Sequence, residues 1–239
     1  MPYLNDLAQF LDRFFAIERY SASERGGVYI PSPRPISRIG LALEPGENLS
    51  QWVEKQKLDA LFLHRPWKFQ AELLPDIGIL SYHLAFDECM TLGFNSRLAN
   101  VLSMSDLEVL GEKQGRAIGA IGNIPQQKIA EYLHCITEIF GGLEEVHLSK
   151  TVEVSRIAVV GGMNDELVRE AATRGANLYV TGQMRQPAVE ALKETEISAI
   201  AVGHRRCEQW GLKSLAGLLR DRWSGLSVIG EEREQGRII

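Results

Sequence analysis

One short pattern, written twice, constrains this chain more than any other feature. Ile36-Ser37-Arg38-Ile39 in the first half is echoed by Val154-Ser155-Arg156-Ile157 in the second, and each opens an apolar run. Counting 27 residues from Ser37 reaches His64, and 27 from Ser155 reaches Gly182. Both positions close an apolar stretch, Leu61-Phe62-Leu63 and Leu178-Tyr179-Val180. The next apolar run in each half ends on a histidine with a carboxylate four residues later, His83 with Asp87 and His204 with Glu208. Self-similarity at this scale sets the architecture and is weighed before any local motif. It points to one βαβ-plus-strand unit used twice. The expectation is α/β: two similar three-layer α/β domains from an internal duplication, with mixed sheets. βαβ units resemble one another without common origin, but the recurring His-x-x-x-carboxylate favours duplication.

The periodicities fill in the elements. Apolar residues at Leu4, Leu7, Phe10, Leu11, Phe14 and Phe15 have helical spacing over Leu4 to Ile17. Gly26-Gly27 and Pro31-Ser32-Pro33-Arg34-Pro35 punctuate a loop. Strands are expected at Ile39 to Leu43, Leu61 to Leu63, Ile77 to Tyr82 and around Ala117 to Ile121. Helices are expected near Leu49 to Gln56, Ser96 to Met104 and Gln126 to Phe140, with Pro125 suited to the first turn of the last. The second half continues with strands at Arg156 to Val160, Leu178 to Thr181 and Ile197 to Val202. Helices fall at Asp165 to Arg174, Ala188 to Lys193 and Arg205 to Trp223. In the last of these Trp210, Leu215, Leu218, Leu219 and Trp223 are available for a buried side. Strands alternating with helices argue for α/β architecture. The expected division is residues 1–123 for the first domain and 124–239 for the second, with the C-terminal segment free to pack back on the first.

Charge and cysteine usage exclude several classes. The formal net charge is −5 over 239 residues, which argues against nucleic acid or an anionic membrane as partner. No stretch approaches the roughly 20 apolar residues of a membrane helix. The start, Met1-Pro2-Tyr3-Leu4-Asn5-Asp6, has neither the positive nor the apolar segment of a secretion signal. Cys89, Cys135 and Cys207 are widely spaced and odd in number, as in a reduced cytoplasmic protein, and no CxxC pair offers a thiolate zinc site.

The histidines gather where ligands bind. His64, His83 and His204 all fall at expected strand ends, the usual binding edge of open α/β sheets. A histidine and a carboxylate four apart share one side of a helix. Imidazole with carboxylate suits zinc, iron, nickel or manganese, and a carboxylate can bridge two cations in a hydrolytic centre. A single such pair is more often a solvated surface pair; its recurrence in both halves is what marks these.

These segments resemble a known family. Leu61-Phe62-Leu63-His64-Arg65-Pro66 resembles the strand and HHP motif of the Nif-three-like dinuclear metal-centre proteins, also called GTP cyclohydrolase type 2 homologues. His83-Leu84-Ala85-Phe86-Asp87 is similar to their HTNLD segment. Gly161-Gly162, followed by Gly175 to Gly182, is similar to their GG…GAD-x-x-x-TGE run, and Gly203-His204-Arg205-Arg206-Cys207-Glu208 to GHYxSE. The order is kept from about Ser37 to Trp223. The resemblance implies that His64, Asp87, His204 and Glu208 are metal ligands, with the acids suited to bridging. It implies His83 and Gln183 as a second shell, two α/β domains with the site at the cleft between them, and a homohexameric ring built from dimers. It fixes no substrate and no catalytic residue.

The departures share one direction. Arg65 stands where the family has its second histidine, Leu84 where it has threonine and Gln183 where it has glutamate. Arg185-Gln186 stands for Tyr-His, Arg205 for tyrosine, and only Gly27-Val28-Tyr29-Ile30 answers a GLQVG-like segment. Ligands and acids are lost and arginines gained. A guanidinium carries a permanent charge and five donors and pairs readily with carboxylates. Arg65 is therefore expected to take the place of one metal by neutralising Asp87 and Glu208, leaving at most one divalent transition metal per chain, or none. The functional expectation is a ring-forming protein that binds an anionic small molecule or a partner. The alternative is a metal-dependent hydrolase or cyclohydrolase acting on a nucleotide or other small phosphorylated substrate, which Gln183 and Gln186 weaken because neither takes a proton. Trp67 reads as core or interface packing more than as a lining of the site, and His134 and His147 read as structural. Gly161-Gly162 offers an anion cradle only weakly. The charged tail at Glu231-Glu232-Arg233-Glu234 reads as solvated.

Overall fold

The structure is a computed structural model and describes residues 1–67, 69–150 and 152–231. Helix α1 (Leu4–Phe15) is followed by strands β1 (Gly27–Ile30) and β2 (Arg38–Ala42), helix α2 (Leu49–Gln56), strands β3 (Ala60–Leu63) and β4 (Gly78–Ser81), and helix α3 (Leu84–Met90). Next come α4 (Ser96–Val101), β5 (Ser105–Val109), the short hairpin β6 (Glu112–Lys113) and β7 (Arg116–Ala117), β8 (Gly119–Lys128) and α5 (Ile129–Phe140). The rest is β9 (Glu145–His147), β10 (Glu153–Val160), α6 (Asp165–Thr173), β11 (Leu178–Thr181), α7 (Gln186–Thr195), β12 (Ser198–Ala201), α8 (His204–Arg222) and β13 (Ser227–Gly230). No helix among the described residues is long and apolar enough to cross a membrane.

The chain divides into two compact units, Met1–Phe86 with Leu212–Ile239, and Asp87–Gly211. The division falls at 86/87 and 211/212, away from the expected 123/124, and strand pairing gives the reason. The first sheet runs β1-β4-β3-β2-β13, so its last strand comes from the end of the chain, parallel to β2 with Ser227 opposite Arg38. The second runs β5-β8-β10-β11-β12-β9, so β5 and β8 belong with the second half. Both sheets are mixed. Three parallel strands form the centre of each, β4-β3-β2 in one and β10-β11-β12 in the other.

Each βαβ corner closes on the residues of the echoed pattern. In the first unit Asp59 Oδ2 accepts from the Ser37 N–H at 2.9 Å, the Ser37 hydroxyl at 2.8 Å and the Arg38 N–H at 2.9 Å. In the second, Asn177 Oδ1 accepts from the Ser155 N–H at 2.9 Å, the Ser155 hydroxyl at 3.2 Å and the Arg156 N–H at 3.1 Å. The arginine that follows each serine donates Nε to the carbonyl at the end of the next helix, Arg38 to Gln56 O at 2.7 Å and Arg156 to Arg174 O at 2.9 Å. Serine, arginine and a short side-chain acceptor thus tie strand start, helix end and next strand together.

The apolar runs fill the cores as their periods require. In the first unit Leu61, Leu63, Ile79, Leu49 and Val53 pack together. In the second, one face of the sheet packs Ile157, Val159, Leu178 and Val180 against α5, and the other packs Ala158, Val160 and Tyr179 against α6 and α7. Along α8 the expected face is buried at Trp210, Leu215, Leu218 and Leu219, and Trp223 beyond it is half-buried and meets Phe10 edge-on at 5.1 Å.

Two stretches differ from expectation. Gln126 to Lys128 are strand, and Pro125 lies within β8, not in a helix. Lys128 and Gln127 continue the antiparallel ladder with β10, and the register shifts opposite Val154 to Arg156. Proline tolerates such a bulge because no N–H is required of it there. Gly27-Val28-Tyr29-Ile30, taken as loop, is β1, antiparallel to β4 at an edge of the first sheet. The tail reading at Glu232-Arg233-Glu234 lies outside the described residues.

Candidate metal centre

Strand β3 ends on a histidine that the core holds rigid. His64 is fully buried, and its ring lies 4.8 Å from those of both Phe86 and His83. Its Nδ1 stands 3.2 Å from Tyr82 O. A carbonyl only accepts, so Nδ1 carries the proton, and in the neutral ring the lone pair sits on Nε2. A backbone carbonyl behind one ring nitrogen is the usual way of fixing the tautomer of a metal-ligating histidine.

His83 is the residue before α3 and Asp87 lies one turn into it. The division between the units falls inside this helix, between Phe86 and Asp87. One ligand atom from each of His64, His83 and Asp87 lies within 4.8 Å of the others. Two imidazoles and a carboxylate at that spacing fit a divalent transition metal. His83, expected as second shell, thus contributes a ligand atom of its own to the group. Its ring is exposed, and Trp67 meets it edge-on at 5.3 Å.

A cavity of about 520 Å³ in the first unit opens over this group, lined among others by Glu24, Tyr29, His64, Trp67 and His83. Trp67 is 71% exposed, so of the core or interface packing expected for it the core is excluded. It follows Pro66 outside the sheet, where no apolar layer is available to cover it, and lines the cavity instead.

Arg65 follows His64 and is largely withdrawn from solvent, its side chain 14% exposed. Its Nε donates to Glu44 Oε1 at 3.1 Å. Glu44 lies just past β2, far from Arg65 in sequence, and no motif marks it.

In the second unit Gly203 makes the turn from β12 into α8 at φ +97 and donates its N–H to Gly182 O at 3.0 Å. That turn sets His204 at the helix start. His204 Nε2 lies 3.0 Å from Glu208 Oε1, with Glu208 almost fully buried and His204 largely exposed. Cys207 beside them is buried, and burial pushes its thiol far up, with the nearby charges of Glu208, Asp87 and Glu144 adding to the shift. Gln183 is exposed and lines a second cavity, of about 440 Å³, with His204 and Arg205. His134 lies exposed on α5, and His147 is half-buried on β9. At Gly161-Gly162 the following helix end is occupied by the chain itself, since Asn164 Oδ1 accepts from the Leu167 N–H at 2.8 Å.

The sequence model of the family described as Duf34/NIF3 (NGG1p interacting factor 3) matches residues 72–234, more than half the chain. The chain belongs to this family. Two relatives, each named GTP cyclohydrolase 1 type 2 homolog, come from Deinococcus radiodurans and Pyrococcus horikoshii. The first is 23% identical, covering 92% of this chain and 89% of the relative. The second is 26% identical, covering 94% and 96%. Among solved structures, TTHA1606 from Thermus thermophilus superposes with TM-score 0.75 at 22% identity, covering 97% of this chain and 98% of that one. The Staphylococcus aureus hypothetical protein SA1388 superposes with TM-score 0.78 at 15% identity, covering 99% and 98%. These likenesses show the Duf34/NIF3 fold over essentially the whole chain, and the His64–His83–Asp87 group sits on that fold.

Proposed function

We propose that this Duf34/NIF3 chain is a ligand-binding protein that holds at most one divalent transition metal, with Arg65 as the fixed cation in place of a second. The carrying observation is the group of His64, His83 and Asp87, with a largely buried arginine following His64 in sequence. His64 and His83 would hold the metal through imidazole nitrogen and Asp87 through a carboxylate oxygen. When bound, the metal supplies Lewis acidity. The chain's own residues do the rest: the Tyr82 carbonyl orients His64, and Arg65 brings a charge that does not titrate. His204 and Glu208 are read as further ligands, supported by their mutual contact.

The ligand in this reading is an anionic small molecule, and the protein assembles with itself into a hexameric ring. Self-assembly is supported by three exposed apolar residues on or just after edge strand β9, Val146, Leu148 and Val152. A metal-dependent hydrolase is the second reading, favoured by the cavity over the histidines, which is roomy enough for a small substrate and carries Glu24 as a carboxylate.

Elemental analysis of the purified protein tests the first reading, with chain mass measured by light scattering. One equivalent of zinc, iron, nickel or manganese per chain, or less, is expected; two equivalents overturn it. Metal-stimulated hydrolysis of nucleotides or phosphate esters that Glu208→Gln abolishes would favour the second.

A further inference from the structure

Seven of the second unit's eight arginines divide into two groups. Arg116, Arg169 and Arg174 each carry a carboxylate partner, Glu88 at 2.8 Å, Asp165 at 2.6 Å and Glu170 at 2.7 Å, and Arg156 pairs with Glu108. Arg185, Arg205 and Arg206 make no ion pair with any described residue. These three line one cavity of about 440 Å³. Its remaining lining is Gln183, His204, Gly203 and Glu144, so no apolar residue type lines it.

Three like charges around one concavity repel one another, and a low-dielectric wall focuses their field into it. A single carboxylate, Glu144, does not balance them. Two helix starts reinforce the sign: Arg185 is the N-cap of the ten-residue α7, and Arg205 and Arg206 lie in the first turn of the 19-residue α8. Planar guanidinium forks suit the oxygens of a phosphoryl group, which accept several charge-assisted hydrogen bonds at once. With arginine, glutamine and histidine as the lining side chains, charge and hydrogen bonding are the means of recognition.

We infer that Arg185, Arg205 and Arg206 form a binding site for the phosphoryl end of a phosphorylated small molecule. The inference rests on the ligand-binding reading above, but not on the metal. Arg185 and Arg205 stand at positions where the family pattern carries other residues, so the site belongs to this chain.

The test is calorimetric titration of the whole protein with inorganic phosphate and with pyrophosphate at low ionic strength, alongside measurement of bound metal. Saturable binding is expected, tighter for pyrophosphate, and weakened by salt. Arg205→Gln and Arg185→Gln should each weaken it roughly tenfold, the loss of one charge-assisted contact, and Arg205→Lys should restore part of it. Bound metal should not change in any of these variants. Titration after chelation separates the two sites. Binding that survives chelation and falls in the glutamine variants supports the inference. Binding that disappears on chelation and is indifferent to the arginines is metal ligation and overturns it, as does wild-type protein that takes up neither ion. Wild-type protein that carries two metals per chain and still binds phosphate through the arginines would sink the metal reading alone.

Discussion

The two βαβ corners perform one task with different acceptors. Asp59 accepts three hydrogen bonds in the first unit, and Asn177 accepts the equivalent three in the second. The first acceptor is charged and carries Arg34 at 3.4 Å; the second is neutral. At the strand end beyond each corner the difference widens. The first unit places a fully buried imidazole at His64. The second places Gly182, where a Cβ would stand 3.3 Å from Gly161 O and 3.6 Å from Cys207 Sγ. The next strand ends again carry histidine and a carboxylate, but His83 packs against the ring of His64 while His204 reaches Glu208. The repeated frame therefore fixes where side chains leave the sheet, and the local packing decides which of them can do chemistry. One strand end is crowded and takes glycine; the other is lined by Phe86 and the Tyr82 carbonyl and takes a histidine.

That contrast can be broken most forcefully at His64. His64→Ala should reduce bound metal to about a tenth of the wild-type content or less, because it removes the one imidazole whose tautomer is fixed by the backbone. Metal retained at the wild-type level would show that the group is not the centre. His83→Ala sharpens the assignment of the exposed imidazole. As a ligand it should match His64→Ala in metal loss; as a supporting residue it should weaken affinity by about 10–100-fold and leave stoichiometry intact at saturation. Arg65→His tests the fixed cation, and two equivalents of metal per chain are expected in place of one. An unchanged content would leave Arg65 as a partner of Glu44 only.

Smaller effects separate the corners themselves. Asp59→Ala should cost about 2–3 kcal/mol in urea denaturation and Asn177→Ala about 1–2 kcal/mol, since hydrogen bonds to a charged acceptor are the stronger. The smallest difference is in acid. Burial pushes the Asp59 carboxyl up, but the Ser37 and Arg38 hydrogen bonds and the Arg34 charge outweigh it and hold the group below its ordinary value. A depressed carboxylate stabilises the fold above the unfolded pKa of about 4, and that stability is lost as pH falls through the lower folded value. The urea midpoint should therefore drop on acidification below about pH 4, and Asp59→Asn should flatten that drop, while Asn177→Ala leaves the slope as it is.

Much of the frame was legible because it depends on local chemistry. Helix α2 begins and ends where the spacing of Leu49 and Val53 places it, and β11 falls on Leu178 to Thr181. The serine-arginine echo marked both corners because their hydrogen bonds need those residue types. The non-local features were hidden. No pattern in Ser227 to Gly230 says that it pairs with Arg38 to Leu41, and nothing around Pro125 distinguishes a bulged strand from a helix start. In the candidate site, motif order singled out His64 and Asp87. That His83 stands within reach of both was not legible, because it depends on how α3 leaves β4. The exposure of Trp67 was not legible, because an aromatic residue beside a buried strand has no sequence mark that says which way it faces.

The parallel pairing of β13 with β2 has a consequence for synthesis. The second unit, Asp87–Gly211, is continuous and can close its sheet once its own residues have left the ribosome. The first cannot, since the strand that covers β2 comes from Ser227–Gly230. Throughout translation of the intervening residues, β2 is an open edge with unpaired amides and carbonyls, available to any extended segment nearby. The unit that begins the chain is the one that finishes last, and a ribosome stalled before Ser227 releases a protein whose first sheet still invites a foreign strand.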